Sequence, residues 1–214
     1  YYDTTGRLRA SEDAAGARSY VFYDNAGRPV ATVDGTGAVV QTVYDGIGRV
    51  VQRVAYATRV DTSTWLSSGA VTKTELVFAA TAPTLTAGQA WVQTSAANDR
   101  TTSLAYDTAG RLSTETVVGV DASQTRKTTY TYDAASRLLQ TTVSDGADTA
   151  ATARTTRSLY DAADRQIATI DALNYVTETV YDAGGRVVKT IRYANASGSP
   201  AATTLTALRP STHI

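Results

Sequence analysis

Aspartate and tyrosine carry most of the chemistry available to this sequence. There is no Cys, and the one histidine, His213, stands one residue from the end of a 214-residue chain. Metal clusters built on several histidines or thiolates cannot be assembled from that set. A Ser-His-Asp arrangement would have to recruit its base from a terminus, where order is usually lowest. Paired carboxylates are the remaining route to acid–base catalysis, but their spacing favours another role. Of 16 Asp, seven follow directly on a Tyr and about five more fall in turn sequences between those seven. Asp at the first position of a four-residue turn accepts backbone N–H bonds from residues just ahead of it, so turn-making is preferred to catalysis. None of these turns has the alternating oxygen ligands and closing Glu of an EF-hand loop, and none has the Lys-Ser/Thr ending of a phosphate loop. The sequence therefore predicts no catalytic residue, no cofactor site and no metal site.

The Tyr-Asp pairs belong to one signature that recurs seven times. It reads Tyr2-Asp3-Thr4-Thr5-Gly6-Arg7 first, then Tyr23-Asp24 with Gly27-Arg28, Tyr44-Asp45 with Gly48-Arg49, and Tyr106-Asp107 with Gly110-Arg111. Tyr132-Asp133 with Arg137, Tyr160-Asp161 with Arg165, and Tyr181-Asp182 with Gly185-Arg186 complete the set. The starts are separated by 21, 21, 62, 26, 28 and 21 residues, so a unit of about twenty-one residues recurs and is stretched by inserts. Repeats of this length are supersecondary units stacked on copies of themselves. Gly at the fourth turn position supplies the φ > 0 needed for a type I turn followed by a bulge into the returning strand. The flanking Tyr and Arg close the strand ends, where the guanidinium can pair with a carboxylate or lie on a ring. Ser136 and Asp164 replace Gly in two copies, and those turns are expected to be the more strained.

A second turn signal lies about ten residues after the first, at Asp13-Ala14-Ala15-Gly16, Asp34-Gly35-Thr36-Gly37 and Asp171-Ala172-Leu173-Asn174. Between the turns, runs such as Ser19 to Tyr23 and Arg49 to Val54 have the aromatic, β-branched and Thr content of strands. The unit reads strand, turn, strand, turn, an antiparallel meander with strands of roughly six or seven residues. Adjacent apolar pairs, Val50-Val51 and Leu138-Leu139, leave the inward face undetermined. A longer period overlies the short one: Tyr23 to Tyr56 matches Tyr160 to Tyr193 at half of its positions, offset by 137 residues. This gives YD hairpins over 1–56 and 101–193.

Two segments interrupt the meander. Residues 57–100 hold Trp65, Trp91 and Pro83 but no Tyr-Asp signature, and are expected to be an irregular insert of loops and short helices. Residues 194–214 begin its counterpart, with Ser199 capping and Pro200 opening a short helix through Leu208, equivalent to the Thr62–Leu66 region. Trp65 and Trp91 offer faces for stacking a glycan, but core filling is the preferred role for both. Charge is balanced, with 20 basic and 20 acidic residues, so no nucleic-acid footprint is present, and no apolar run approaches a membrane span. The absence of Met and an opening inside a repeat suggest a window cut from a larger protein.

Tyr-Asp-x-x-Gly-Arg units at this spacing resemble the YD repeats of the RHS family, and the resemblance covers roughly two thirds to three quarters of the chain. It implies an all-β fold, a repetitive antiparallel hairpin ribbon that spirals into a hollow shell. In bacterial RHS and toxin-complex proteins such a shell encloses a toxic carboxy-terminal domain, and in teneurins a similar barrel belongs to an adhesion protein. Partners implied are neighbouring repeats or like subunits, and an enclosed toxin. The family's aspartyl self-cleavage segment is missing, because Pro29, Pro83, Pro200 and Pro210 follow Arg, Ala, Ser and Arg. The sequence thus predicts wall rather than cargo, of a secreted or cell-surface bacterial protein. An extracellular fibre or adhesin, or a carbohydrate-binding module, is the alternative.

Overall fold

The computed structural model describes residues 1–120, 124–145 and 153–210; His213 lies outside them. The fold is all-β, as the turn spacing predicts. Thirteen strands join in one sheet in chain order: β1 (Ala10–Glu12), β2 (Arg18–Tyr23), β3 (Pro29–Val33), β4 (Val39–Tyr44), β5 (Val50–Ala55), β10 (Arg100–Tyr106), β11 (Leu112–Val118), β12 (Arg126–Tyr132), β13 (Leu138–Asp145), β14 (Arg154–Tyr160), β15 (Gln166–Ile170), β16 (Tyr175–Tyr181) and β17 (Val187–Ala196). Chain contacts divide into two compact units, one comprising Tyr1–Ala105 with Thr116–Thr125, the other Tyr106–Glu115 with Arg126–Ile214.

Each hairpin is closed by the turn its sequence encodes. At the second signature, the Gly27 N–H donates to the Asp24 carbonyl at 2.9 Å and the Asp24 N–H to the Arg28 carbonyl at 2.9 Å. That is a type I turn followed by a bulge, and the strand register slips there, between Phe22 and Tyr23. Gly27 takes φ +78°, which a side chain would resist. The same slip falls at Tyr44, Tyr132, Tyr160 and Tyr181.

In the first unit the inward face is set by Tyr20, Phe22, Ala31, Val33 and Val39, all buried. The insert covers them. Trp65 stands edge-on to Tyr20 and Phe22, with ring centroids 5.1 and 5.8 Å away, and Phe78 stacks on Tyr56 at 4.9 Å. The expected short helices of 57–100 are not found. The insert instead holds an antiparallel pair, β6 (Leu66–Ser67) with β7 (Ala70–Val71), and a parallel pair, β8 (Glu75–Ala79) with β9 (Gln89–Gln93). The reason is alternation: Leu76 and Phe78 on β8 and Ala90 and Val92 on β9 lie on one side and pack on the sheet, a period-two pattern no helix can use. Asp99, buried, closes the mouth of the insert. Its carboxylate accepts the Ala57 N–H at 2.9 Å and the Ser95 N–H at 2.7 Å.

In the second unit Ala168, Ile170 and Val176 form the core with Leu208. The helix expected from Ser199 to Leu208 shrinks to one turn, α1 (Leu205–Leu208), with Thr204 at its cap position. Ser199 instead accepts the Ala202 N–H with its carbonyl at 2.9 Å, which makes a separate turn around Pro200. The equivalent Thr62–Leu66 region is likewise a turn, closed by Trp65 N–H to Thr62 C=O at 3.1 Å.

Candidate functional site

The signature residues converge on one repeated contact. Within a turn, one oxygen of the Asp carboxylate takes two backbone N–H groups and the other takes the arginine. Asp24 Oδ1 accepts from Ala26 N and Arg28 N at 2.9 Å each, and Oδ2 accepts from Arg28 Nε at 2.7 Å. The pattern repeats at Asp3, Asp45, Asp107 and Asp161, with the Nε bond at 2.7 to 2.8 Å, and the Nε bonds of Arg137 to Asp133 and Arg186 to Asp182 match it. These bonds favour the charged carboxylate. Asp24 and Asp107 are held below the ordinary range chiefly by the backbone N–H of the arginine, Asp45 and Asp161 chiefly by its guanidinium, and Asp3 chiefly by the Thr5 hydroxyl. Such carboxylates cannot hold a proton near neutral pH and are unsuited to general-acid work.

The arginine then reaches the next hairpin. Arg7 lies over the Tyr23 ring at 4.9 Å, Arg28 over Tyr44 at 4.7 Å, Arg111 over Tyr132 at 4.7 Å, Arg137 over Tyr160 at 5.0 Å and Arg165 over Tyr181 at 4.8 Å. Each of these tyrosines returns a bond from its hydroxyl to the residue after that arginine: Tyr23 to the Leu8 carbonyl, Tyr44 to Pro29, Tyr132 to Leu112, Tyr160 to Leu138 and Tyr181 to Gln166, at 2.9 to 3.0 Å. The sequence leaves open whether the arginine pairs with carboxylate or ring. Both contacts form, because Nε and the guanidinium plane serve different partners. What the turn spacing did not disclose is that the link runs between hairpins.

The two turns lacking Gly have a further feature. Ser136 and Asp164 adopt φ +66° and +62°. Their side chains meet the arginine of the preceding turn, Arg111 Nη1 to Ser136 Oγ at 3.1 Å and Arg137 Nη1 to Asp164 Oδ1 at 2.7 Å. The polar character of both substitutions is the signal that could have disclosed this contact.

Both tryptophans line one cleft of about 330 Å³, with Asp61, Lys73 and Gln93. Trp65 is buried in the core beneath it, and Trp91 is half-buried. Among the described residues no group of three or more His, Cys, Asp or Glu could hold a metal ion, and no helix is long and apolar enough to cross a membrane.

Comparison with known proteins places this geometry. The profile described as RHS Repeat matches residues 2–39 and 160–197, one stretch in each unit. No curated protein matches the chain. Among solved structures, the crystal structure of TcdB2-TccC3-TEV aligns with 90% of this chain at 16% identity and a TM-score of 0.54. TcdB2-TccC3 without its hypervariable C-terminal region aligns at 18% identity and 0.37 over 92% of this chain, and the Photorhabdus luminescens Tc holotoxin pore at 18% and 0.33 over 90%. The chain spans only 8% of the length of the first of these and 11% of the other two. With the Tyr-Asp turns, the hairpin fold and the repeat profile in agreement, residues 2–39 and 160–197 are RHS, or YD, repeats.

Proposed function

We propose that this chain is a non-catalytic wall segment of a large secreted bacterial protein, its hairpin ribbon curving into a shell around a toxin domain or other cargo. The observation that carries the reading is the Arg-to-Tyr link between successive hairpins. A sheet extended strand by strand needs its hairpins held in register at the turn edge, where ladder hydrogen bonds have ended. Here each hairpin brings one ring, one hydroxyl and one guanidinium for its neighbours, so the wall can lengthen without new chemistry. Carboxylates saturated by N–H donors and arginines held on rings serve this purpose and leave little for a substrate.

Electron microscopy of the intact native protein tests the proposal. A closed hollow particle with internal density is the expected result. A continuous filament with strands paired between molecules would replace the wall with a fibre.

The cleft beside Trp91 favours one second reading, a glycan contact, since a half-buried indole next to Asp61, Lys73 and Gln93 combines a stacking face with hydrogen-bonding groups. Glycan-array binding that is lost in Trp91→Ala is the expected result; unchanged binding, or none in the parent chain, removes it.

A further inference from the structure

The two units contain the same substructure, displaced by 137 residues in sequence. Val60 N donates to Gly37 O at 2.9 Å, and Ser197 N to Asn174 O at 2.8 Å. Tyr56 OH donates to Gln41 Oε1, and Tyr193 OH to Glu178 Oε2. The Thr62 and Ser199 turns described above are the third such pair, and the strand registers agree, Ala31 opposite Gln41 and Ala168 opposite Glu178. Position by position, Phe22 corresponds to Leu159, Val33 to Ile170, Trp65 to Ala202 and Val71 to Leu208.

The cover over this substructure differs. In the first unit Phe22 and Val33 are sealed beneath Trp65 and the β8–β9 pair, whose Leu76, Phe78, Ala90 and Val92 pack on the sheet. In the second unit no second sheet occurs among the described residues. A cleft of about 210 Å³ lies over the same place, lined by Leu139, Leu159, Ile170, Ala202 and Leu208. Leu139 and Leu159 stay half-buried there.

We propose that this cleft is a docking surface for a parallel pair of β-strands of the β8–β9 kind, one face of which alternates apolar side chains. The equivalent face of the first unit shows the occupant. The substitution of Trp65 by Ala202 adds a requirement: the arriving strands must bring a side chain larger than Ala90 or Val92 to fill the space that an indole fills in the first unit. Such a cover is needed whether the ribbon closes into a shell or runs as a fibre, so its failure and that of the wall reading are separately visible.

The test grafts the known cover onto the second unit. Residues 211–214 are replaced by a copy of residues 74–100 in which Phe replaces the copy of Ala90, to supply the larger side chain the cleft requires, and amide exchange is measured at Leu159, Ile170 and Leu208. Slowing by about tenfold or more is expected, and it should vanish when Ser replaces the copies of Leu76, Phe78, Ala90 and Val92. No slowing, or equal slowing with the Ser version, overturns the proposal. Should the graft not fold, a synthetic peptide of residues 74–94 titrated into the unaltered chain decides the matter. NMR shifts confined to the cleft residues and strengthened by Ala202→Trp, which restores the indole this peptide packs beside in the first unit, support docking, and absence of shifts with either chain at about millimolar peptide overturns it.

Discussion

The guanidinium carbon of Arg137 stands 5.0 Å from the centroid of the Tyr160 ring, and the Tyr160 hydroxyl donates to the carbonyl of Leu138, the next residue after that arginine, at 3.0 Å. Two hairpins are thereby tied in both directions by one residue from each. The tie has two separable parts. Tyr160→Phe keeps the ring under the guanidinium and loses only the hydroxyl bond, an expected cost of about 0.5 to 1.5 kcal/mol in denaturant unfolding. Arg137→Lys keeps the charge but loses the flat face and the Nε bond to Asp133, so amide exchange should quicken in the turns at both Asp133 and Asp161. Quickening at Asp133 alone would show that the arginine acts only within its own turn.

Ser136 separates backbone strain from side-chain contact. A side chain at φ +66° costs about 1 to 2 kcal/mol that Gly does not pay, against one exposed hydrogen bond to Arg111. Ser136→Gly should raise the melting temperature by about 1 to 3 °C. A fall would mean that the Arg111 contact outweighs the strain.

Gly37 and Gly16 share the same backbone conformation, φ +81°. A Cβ on Gly16 meets nothing within 4 Å, whereas one on Gly37 lies 2.3 Å from the Val60 carbonyl oxygen. Gly16→Ala is therefore expected to cost only the conformational term, about 1 to 2 kcal/mol. Gly37→Ala must also displace the start of the insert and break the Val60 N–H bond, adding roughly 1 kcal/mol or more. Equal losses for the two variants would argue that the insert does not rest on this turn.

Much of this is legible in the sequence. Hairpin turns and the special conformation at Ser136 and Asp164 follow from local rules, in which an Asp or a Gly acts on atoms a few residues away, and the super-repeat follows from identities 137 residues apart. The Arg-to-Tyr link was only half legible, because the partners of Arg111 and Tyr132 lie 21 residues apart and nothing local states which arginine faces which ring. The insert was least legible. Leu76, Phe78, Ala90 and Val92 are strands because a sheet face elsewhere needs cover, a tertiary demand that overrides the loop-like look of a stretch containing Gly and Pro. The role of Asp99 is not legible in the sequence for the same reason, since its partners Ala57 and Ser95 are brought to it only when the insert folds.

Trp65 carries the first unit's core, so its truncation should be among the most damaging changes available. Trp65→Ala is expected to cost about 3 to 5 kcal/mol and to release β8 and β9, read as exposure of Phe78 and loss of exchange protection at Val92. Trp91→Ala, at a half-buried position of β9, should cost distinctly less. If the two were equal, the edge-on packing of Trp65 against Tyr20 and Phe22 would not be what holds the insert down.

Acid should detach the segment around α1 before it unfolds the rest. Glu178 is buried and receives Arg209 at 2.7 and 3.0 Å and the Tyr193 hydroxyl at 2.7 Å. Its carboxyl is held below the usual value, chiefly by the Arg209 guanidinium. A depressed folded-state value means that the pairing contributes in full above the unfolded carboxyl's value near 4.3, and that the contribution is lost as pH falls through the lower folded value. Exchange protection at Leu208 and Arg209 is therefore expected to hold from neutral pH down to about 4 and to fall below it. Glu178→Gln, which installs the residue found at the equivalent Gln41, should keep the Tyr193 bond, cost roughly 1 to 2 kcal/mol through the weakened Arg209 contact, and remove the acid step. Persistence of that step in Glu178→Gln would assign it to the turn aspartates, whose values are depressed in the same direction.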